Sequence, residues 1–375
     1  MRAHPTPPRG WPLTPAVGAI LLAVTPACAD PPALRVAATR ELGALRWEPD
    51  VKSRDGGYSA RIGERSVWVF GDTTADKAPD ALPGFLNNTA CFTVDLDARD
   101  GLFPLVEHRD AGGYPHEFIP LTADERAYEL AHGGEGCGDR CEGIALWPGP
   151  IVPDPERRRV FVFYTKLLQR PGPLDITMIG SSLAVWDWDL PEHAIRPEVA
   201  PGSDEPTLLF RDGEAELAAA ALADGDDLLA YACDGPGFDR PCRLARAPLA
   251  DPLARSAWRW HTRDGGWSSD PGDAATLFHG APMMTVHHKP ERGLYVAVYA
   301  TPGGIDIELR TAPRPEGPWS DSETIHHPLT PLAGSSVYGA LLHPELQQDG
   351  GDVDYLTYFL ADTGPLQLVE VVWQK

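Results

Sequence analysis

Pairs of short apolar runs recur along the chain, and an acidic or polar turn joins the two runs of each pair. The first run is rich in small residues and the second ends in aromatic residues; such pairs occupy 144–164, 216–231, 283–299 and 338–358. Runs of this length and composition, bounded by Gly, Pro and Asp, are typical of β-strands. An earlier pair at 55–73 brings the number of units to five.

Third and fourth strands are expected after several of these pairs, for example 305–311 followed by 317–320 in the fourth unit. Repeated four-stranded units are typical of a propeller. The pattern therefore predicts an all-β protein with the architecture of a five-bladed β-propeller, and a short helix at about 123–131. The runner-up is a β-sandwich with a second small domain, which five repeated hairpins make less favourable.

The first pair, at 55–73, predicts a hairpin with an acid at each open end. Its turn is the polar stretch 63–66, and apolar residues alternate before it and follow it. An antiparallel hairpin brings its first and last residues to the same end. We therefore expect Asp55 and Asp72 to lie close together, away from the turn.

The chain has 375 residues, which suffices for one large domain or two ordinary ones. Its formal net charge of −22 argues against nucleic acid or an anionic membrane surface as a partner, because both need basic patches. The sequence has no phosphate-binding loop, and we expect no cofactor. A glycan is the expected partner, and the protein is expected to be a monomer.

The first residues have the pattern of a targeting segment. Arg2 and Arg9 supply positive charge, 16–24 is apolar, and 25–29 contains small residues suited to cleavage. The apolar part is too short to span a bilayer. Cys28 loosely resembles the lipidated cysteine of a bacterial lipoprotein, and ordinary cleavage after Ala29 is the alternative.

These observations predict a signal peptide at 1–28, a lead-in at 29–50 that pairs with the C-terminal strands, and one propeller domain at 51–375. The expected location is secreted or in the bacterial cell envelope. A membrane would be contacted only through lipid on Cys28.

Cysteine spacing agrees with export. Cys137 and Cys141, and likewise Cys233 and Cys242, are expected to form local disulfides in an oxidising compartment. A zinc site on these four cysteines is disfavoured, because their spacing is not C-x2-C and no histidine is near in sequence. Cys91 is expected to be a buried free thiol on a strand.

In a propeller the first strand of each blade lines the central channel, so the start of strand one and the end of strand two emerge on one face. Four acids are candidates for catalysis at this face: Asp55, Asp72, Glu142 and Glu216. Candidates for substrate binding at or near it are Tyr58, Trp147, Lys166, Asp234, His287, Tyr338 and His343.

Converging carboxyl groups suit glycoside hydrolysis, in which one acid protonates the leaving oxygen while a carboxylate attacks or activates water. Crowding of like charges raises one pKa and keeps that acid protonated near neutral pH. We interpret Asp55 as nucleophile or base, Asp72 as a residue that tunes pKa or orients substrate, and Glu142 or Glu216 as the acid. Turn capping by the aspartates and solvated loops for the glutamates are the alternatives.

For the histidines, packing or substrate hydrogen bonding is favoured over metal binding, because adjacent histidines on a strand point to opposite faces. No metal site is predicted from them. Calcium in the loops that carry Asp226, Asp234 and Asp239 stays open.

Several short motifs resemble the family catalogued as domain of unknown function 4185. They lie at 55–59, 67–73, 146–149, 293–299, 317–320 and 338–345, and the Trp-x-Phe-Gly-Asp-Thr block within 67–73 is the most specific. The resemblance covers about 50–373. It implies a five-bladed propeller related to glycosidases, some relatives being endo-D-arabinanases that act on furanose polymers of mycobacterial walls, and it implies Asp55 and Asp72 as the matching acids.

The sequence thus favours an exported glycoside hydrolase-like protein that acts on a furanose-containing or other cell-surface polysaccharide through paired carboxylates. The alternative is a non-catalytic carbohydrate- or protein-binding propeller of the cell envelope.

Overall fold

The computed structural model describes residues 1, 34–76, 84–133, 137–172, 175–329, 336–360 and 365–375. The predicted signal peptide, with Cys28, lies outside the described residues apart from Met1. The α-helix α1 spans Ala123–His132, where a short helix is predicted, and Thr122 caps it by accepting a hydrogen bond from the Glu125 backbone N–H. Among the described residues, no helix has the length and apolar character needed to cross a membrane.

The strands form five antiparallel sheets. The first strand of the chain, β1, spans Val36–Ala44. Blade one contains β2 (Val51–Ile62), β3 (Arg65–Ala75), β4 (Phe85–Leu86), β5 (Thr89–Thr93) and β6 (Val106–Glu107). Blade two contains β7 (Gly143–Asp154), β8 (Arg159–Gln169), β9 (Ile176–Asp187) and β10 (Phe210–Arg211).

Blade three contains β11 (Ala220–Asp224), β12 (Asp227–Cys233), β13 (Pro241–Pro248), β14 (Arg259–His261), β15 (Trp267–Ser268) and β16 (Phe278–His279). Blade four contains β17 (Met284–Lys289), β18 (Leu294–Ala300), β19 (Ile307–Ala312) and β20 (Glu323–His326). Blade five contains β21 (Val337–Leu342), β22 (Val353–Leu360) and β23 (Leu366–Trp373), together with β1. Short 3-10 turns occur at Gly138–Arg140, Pro155–Arg157, Arg255–Ala257, Pro271–Asp273, Pro344–Leu346 and Asp349–Gly351.

The inner strands of the five blades contact one another in the closed order β2, β7, β11, β17, β21 and back to β2. A central channel of about 380 Å³ is lined by at least one residue from each of these strands. Its wall includes Ala60, Ile151, Leu222, Val286 and Leu342. A closed ring of five antiparallel sheets, each with four to six strands, around a channel is a five-bladed β-propeller, and the predicted fold is confirmed.

The ring is closed by strands from the two ends of the propeller. β1 pairs antiparallel with β23, in a register that runs from Val36 opposite Trp373 to Ala44 opposite Gln367. The segment predicted as a lead-in therefore supplies the outermost strand of blade five. Because this pairing joins residues more than 300 positions apart, it ties the ends of the described propeller together.

The apolar core lies between blades. Along β3, Val67 and Val69 pack toward blade two, whereas Trp68 and Phe70 pack against side chains of blade five. Successive side chains of a strand point to opposite faces of its sheet. A propeller strand covered on both faces therefore reads as a continuous apolar run, which explains the unbroken Val-Trp-Val-Phe sequence of this strand.

Blade four differs from the sequence prediction in its fourth strand. The segment 317–320 forms no strand, and the outer strand is β20 at Glu323–His326. Pro318 has no backbone N–H to donate to a neighbouring strand, which accounts for the later start of pairing.

Candidate active site

A bulge in the β2–β3 hairpin brings the two predicted aspartates together. Arg54 pairs with Thr73 and Gly56 pairs with Phe70, so Asp55 alone lies opposite both Gly71 and Asp72. The approach is close: a Cβ atom added at position 71 would lie 2.7 Å from Asp55 Oδ1. Glycine at position 71 is therefore what leaves space for the Asp55 carboxyl group beside Asp72.

Neighbouring blades supply hydrogen-bond donors to this pair. The hydroxyl of Tyr338, on β21 of blade five, donates to Asp55 Oδ2 at 3.0 Å. The indole Nε1–H of Trp147, on β7 of blade two, donates to Asp72 Oδ1 at 2.7 Å. Both aspartates, Trp147 and Tyr338 are half-buried, so the three blades build a cluster that solvent still reaches.

Burial raises the pKa of both aspartates. It raises the pKa of Asp55 to about 6, against hydrogen bonds from Tyr338 and from backbone N–H groups. Burial, followed by repulsion from the Asp55 charge, raises the pKa of Asp72 to about 7, while hydrogen bonds from Trp147 and Gln169 oppose the rise. Neither carboxyl group has a Lys or Arg ion-pair partner among the described residues. The pair therefore retains a proton close to neutral pH, and Asp72 binds it more tightly.

Glu216 lies in the segment that precedes β11 of blade three. Thr165 donates a hydrogen bond to Glu216 Oε1 at 3.3 Å, and Thr165 is the β8 residue paired with Trp147 of β7. Burial is the main cause that raises the pKa of Glu216, and the negative charge of Asp234 adds to it. Asp234 itself forms an ion pair with Arg243. The structure thus brings Glu216 close to Trp147 and gives it the protonation tendency that a general acid needs.

Glu142 has a different environment. It accepts hydrogen bonds from the hydroxyl of Tyr128 and, at 2.7 Å, from Arg170 Nε. The Tyr128 hydrogen bond, and then that from Arg170, lowers the pKa of Glu142. A carboxylate held ionised by fixed donors is poorly suited to donate a proton, so we leave Glu142 out of the proposed site.

Two residues that the sequence reasoning missed lie beside Asp72. The hydrogen bond from Gln169 reaches Asp72 from the end of β8, and the charge of Glu117 contributes to the raised pKa of Asp72. Glu117 accepts a hydrogen bond from the Asn87 backbone N–H at 2.8 Å. Glu117 lies in an irregular loop, so no strand periodicity in the sequence predicts which way its side chain points. Gln169 is the last residue of β8, the second strand of blade two, and Asp72 lies near the end of β3, the second strand of blade one. This shared location at the end of a second strand was the available signal.

A groove of about 950 Å³ lies next to these residues, between blades one and two. Its walls come from β4, the loop before α1, α1 itself, the start of β7 and the end of β8. Polar and charged side chains predominate among them: Asn87, Asp110, His116, Glu117, Arg126, Glu129, Glu142, Gln169, Arg170, Glu192 and His193. Glu117 and Gln169 therefore link the aspartate pair to an open polar groove.

Two predicted substrate-binding residues are engaged in structural contacts. Lys166 is buried and forms ion pairs with Glu125 at 2.6 Å and Glu205 at 2.5 Å. Tyr58 is also buried, and its hydroxyl donates to the Ala219 carbonyl oxygen at 2.9 Å, which connects blade one to blade three. Neither side chain points a free polar group at the aspartates, so neither enters the proposed site.

The predicted histidines lie away from the aspartates. His343 follows the end of β21, whereas Tyr338 is at its beginning. Its ring is buried, with Nδ1 bonded to Ser59 Oγ at 2.6 Å and Nε2 to Thr357 Oγ1 at 2.9 Å. His287 is buried within β17, where it lines the central channel, and burial lowers its pKa to about 4. We assign both to the interior of the propeller and not to substrate binding.

The predicted disulfides are present. Cys137 is bonded to Cys141 and Cys233 to Cys242. Cys91 is a buried free thiol on β5.

One group within the described part of the chain has the side chains and spacing to hold a metal ion. It consists of His116, Glu192 and His193, which line the groove. Asp226, Asp234 and Asp239, in the loops where calcium was left open, do not form such a group with any described residues.

Solved structures with a similar fold include a candidate hydrolase from Bacteroides ovatus. It has a TM-score of 0.55 and 15% sequence identity, over 88% of this chain and 86% of that one. A GH43 β-xylosidase/α-arabinofuranosidase from a compost microbial metagenome, in complex with xylotriose, has a TM-score of 0.46 and 12% identity over 90% of this chain and 95% of that one. The α-L-arabinofuranosidase of Podospora anserina, in complex with cellotriose, has a TM-score of 0.44 and 11% identity over the same shares, 90% and 95%.

The likeness to the Bacteroides ovatus protein agrees with the propeller fold and, at this identity, shows the fold alone. No curated protein sequence matches the chain. The family model described as domain of unknown function (DUF4185) matches residues 181–360, and the family resemblance that the motifs predict is confirmed over that range.

Proposed function

We propose that the protein is an exported glycoside hydrolase that cleaves a furanose-containing or other cell-surface polysaccharide. The observation that carries this proposal is the meeting of Asp55 and Asp72 in one bulge, half-buried, with raised pKa values and without a cationic partner among the described residues. Structural carboxylates in a core are ordinarily paired with cations. A repelling pair open to solvent is costly to fold, and a catalytic role accounts for its presence.

The difference between the acids supports distinct roles. Asp55 has the lower pKa of the pair, and Tyr338 holds one of its oxygens, so Asp55 serves as nucleophile or base. Glu216, on another blade, serves as the general acid because its pKa is raised and because acid and base must flank the scissile bond. Asp72 keeps the local pKa values high and orients the substrate with Trp147.

The adjoining groove supports a polymeric substrate. Its volume of about 950 Å³ falls at the upper end of the range for ligand sites, and Glu117 and Gln169 in its wall connect it to Asp72. Arg126, Arg170 and Glu129 offer hydrogen bonds to sugar hydroxyls. The half-buried ring of Trp147 supplies an apolar surface for the less polar face of a sugar.

We include export in the proposal. The two disulfides support it, because disulfides persist in oxidising compartments outside the cytosol. The proposed form is a monomer that is secreted or anchored by lipid on Cys28.

The test is release of new reducing ends from arabinan, arabinogalactan and a panel of other polysaccharides. Wild-type protein is expected to act on one of these, and Asp55→Asn and Asp72→Asn are expected to abolish the activity. Glu156→Gln is the matched control, since Glu156 is an exposed carboxylate in the turn between β7 and β8 and does not line the groove. Full activity in both aspartate variants would refute the assignment.

A second outcome would identify the rival function. If the wild-type protein releases no sugar but binds a polysaccharide in affinity electrophoresis, and Asp55→Asn leaves that binding intact, the protein is a carbohydrate-binding propeller. In that case the aspartate variants should also lower the Tm, because the carboxylates would then cap turns.

A further inference from the structure

In the wall of the groove, three side chains that could ligate a metal come together from two loops. His116 belongs to the loop that precedes α1, and Glu192 and His193 belong to the loop between β9 and β10. One ligand atom from each of the three lies within 4.8 Å of the other two. From this geometry we propose a zinc site that clamps the two loops together.

The protonation of His116 is set by its surroundings. Its Nε2 lies 2.7 Å from the Glu192 carbonyl oxygen. A carbonyl oxygen can only accept a hydrogen bond, so Nε2 carries the proton and Nδ1 carries the lone pair. Metal-binding histidines typically have this arrangement, in which the nitrogen that does not bind metal donates to a backbone carbonyl.

The lone pair on His116 Nδ1 is left without a partner. His116 is only 6% exposed, and Nδ1 is buried with no hydrogen bond from any described residue. An unsatisfied buried acceptor of this kind destabilises the folded state, because it has lost its hydrogen bond to water without gaining another. A cation at Nδ1 removes that penalty, and no described donor does.

The other two ligands have the freedom to complete the site. The side chains of Glu192 and His193 are 46% and 48% exposed, and His193 Nε2 lies 3.6 Å from Glu192 Oε1. In a tetrahedral zinc site with bonds of about 2.0–2.2 Å, ligand atoms lie about 3.3 Å apart. Side-chain rotation of these two surface residues closes the remaining distance, and water takes the fourth position.

The ligand set selects the metal. Two imidazoles and one carboxylate favour Zn²⁺, whereas Ca²⁺ and Mg²⁺ prefer oxygen ligands. The site is distinct from the aspartate pair, and the proposal does not depend on hydrolytic activity.

The consequence of zinc binding is structural. Backbone hydrogen bonds already join the two loops, as in Ala194 N–H to Phe118 O at 2.8 Å. Zinc would add bonds at the solvent-facing end of the same contact. Because Glu117 follows His116 and lines the groove, the clamp would also fix this part of the groove wall.

The experiment is a titration of the purified full chain with ZnCl₂ after chelator dialysis. Calorimetry and metal analysis should give one zinc per chain, thermal unfolding should show a higher Tm with zinc, and CaCl₂ should cause no such rise. Amide hydrogen exchange should slow in 108–120 and 190–196 when zinc is added. Less than one bound zinc, or an equal effect of calcium, would overturn the proposal.

The variants His193→Ala and Glu192→Gln change surface side chains, so they should fold. Each is expected to weaken zinc binding at least about tenfold and to remove the rise in Tm. His327→Ala is the matched control, because His327 is an exposed histidine bonded to Asp306 at 2.7 Å, and no third ligand joins them among the described residues. Zinc binding that survives both variants, or that is lost equally in the control, would refute the site.

Discussion

The two ends of the propeller's inner strands both contain buried titratable groups, but they satisfy them differently. At one end, which we call the acidic mouth, Asp55 and Asp72 face each other with neutral donors and no cation among the described residues. At the other end, which we call the bonded end, His343 has a partner on each ring nitrogen. There Glu345 accepts hydrogen bonds from Ser59 and Ser66 at 2.5 and 2.6 Å.

Ion pairing shows the same contrast. At the bonded end, buried Lys289 lies 2.8 Å from Asp354 and 3.0 Å from Glu291. Burial raises the pKa of Glu345 just as it raises those of Asp55 and Asp72, so a raised pKa alone does not distinguish the two ends. What distinguishes the acidic mouth is repulsion between acids from adjacent strands, contact with an open groove, and residues supplied by several blades.

The largest expected effect is at Asp55. Asp55→Asn removes the proposed nucleophile or base, and we expect polysaccharide hydrolysis to fall by about 10³-fold or more. Measured reducing-end release, with circular dichroism to verify the fold, checks this. If this variant retains wild-type turnover, Asp55 is not the nucleophile or base, and the acidic mouth does not differ from the bonded end in the way proposed.

The next largest effect is at Glu216. Glu216→Gln removes the proposed proton donor, and hydrolysis of the polysaccharide should fall by about 10²-fold. An aryl glycoside with an acidic phenol leaves without protonation, so its hydrolysis should fall much less. An equal loss on both substrates would contradict a role as general acid. Glu156→Gln serves as the control, because it changes an exposed carboxyl group of blade two outside the groove.

The pH profile sharpens the role of Asp55. Because Asp55 must be ionised and its pKa is about 6, kcat/KM should decline below about pH 6. The Tyr338 hydroxyl stabilises the ionised form, so Tyr338→Phe should move this decline to higher pH and lower the rate about tenfold near pH 6. Trp147→Phe, which alters the bond to Asp72, is the control that should leave this limb of the profile nearly in place.

The pH dependence of the Tm tests whether the pKa of Asp72 is raised, as proposed for the site, or lowered, as in an ion-paired structural carboxylate. Its pKa is raised from 3.8 to about 7, so the folded state holds the proton more tightly than the unfolded state does. Its contribution to stability is therefore present below about pH 4 and is lost as the pH rises to about 7. Asp72→Asn should gain in Tm relative to wild type between pH 5 and 8, and a Tm difference independent of pH would contradict the shift.

The smallest effect on activity is expected at the bonded end. Ser66→Ala removes one hydrogen bond to Glu345 and should lower the free energy of unfolding by about 1 kcal/mol. The value of kcat should not change, because this end contributes nothing to the proposed site. Chemical denaturation and kinetics on the same preparation measure both quantities. A fall in kcat would show that the bonded end also contributes to catalysis.

The sequence alone determined the fold class and half of the site. Strand runs such as Val67 to Phe70 carry their own pattern, and a hairpin with a short turn must return to its starting end, so the proximity of Asp55 and Asp72 follows from local geometry. The disulfides of Cys137 with Cys141 and of Cys233 with Cys242 follow from short separations for the same reason.

Tertiary structure alone decided which other side chains join the pair. Lys166 and Gln169 both lie near the end of β8. Lys166 forms ion pairs with Glu125 and Glu205, whereas Gln169 donates a hydrogen bond to Asp72. Glu117 and His116 come from a loop without periodicity, and their partners lie on other strands and loops. Contacts between blades depend on how separate sheets pack around the channel, and no pattern within one segment encodes that packing.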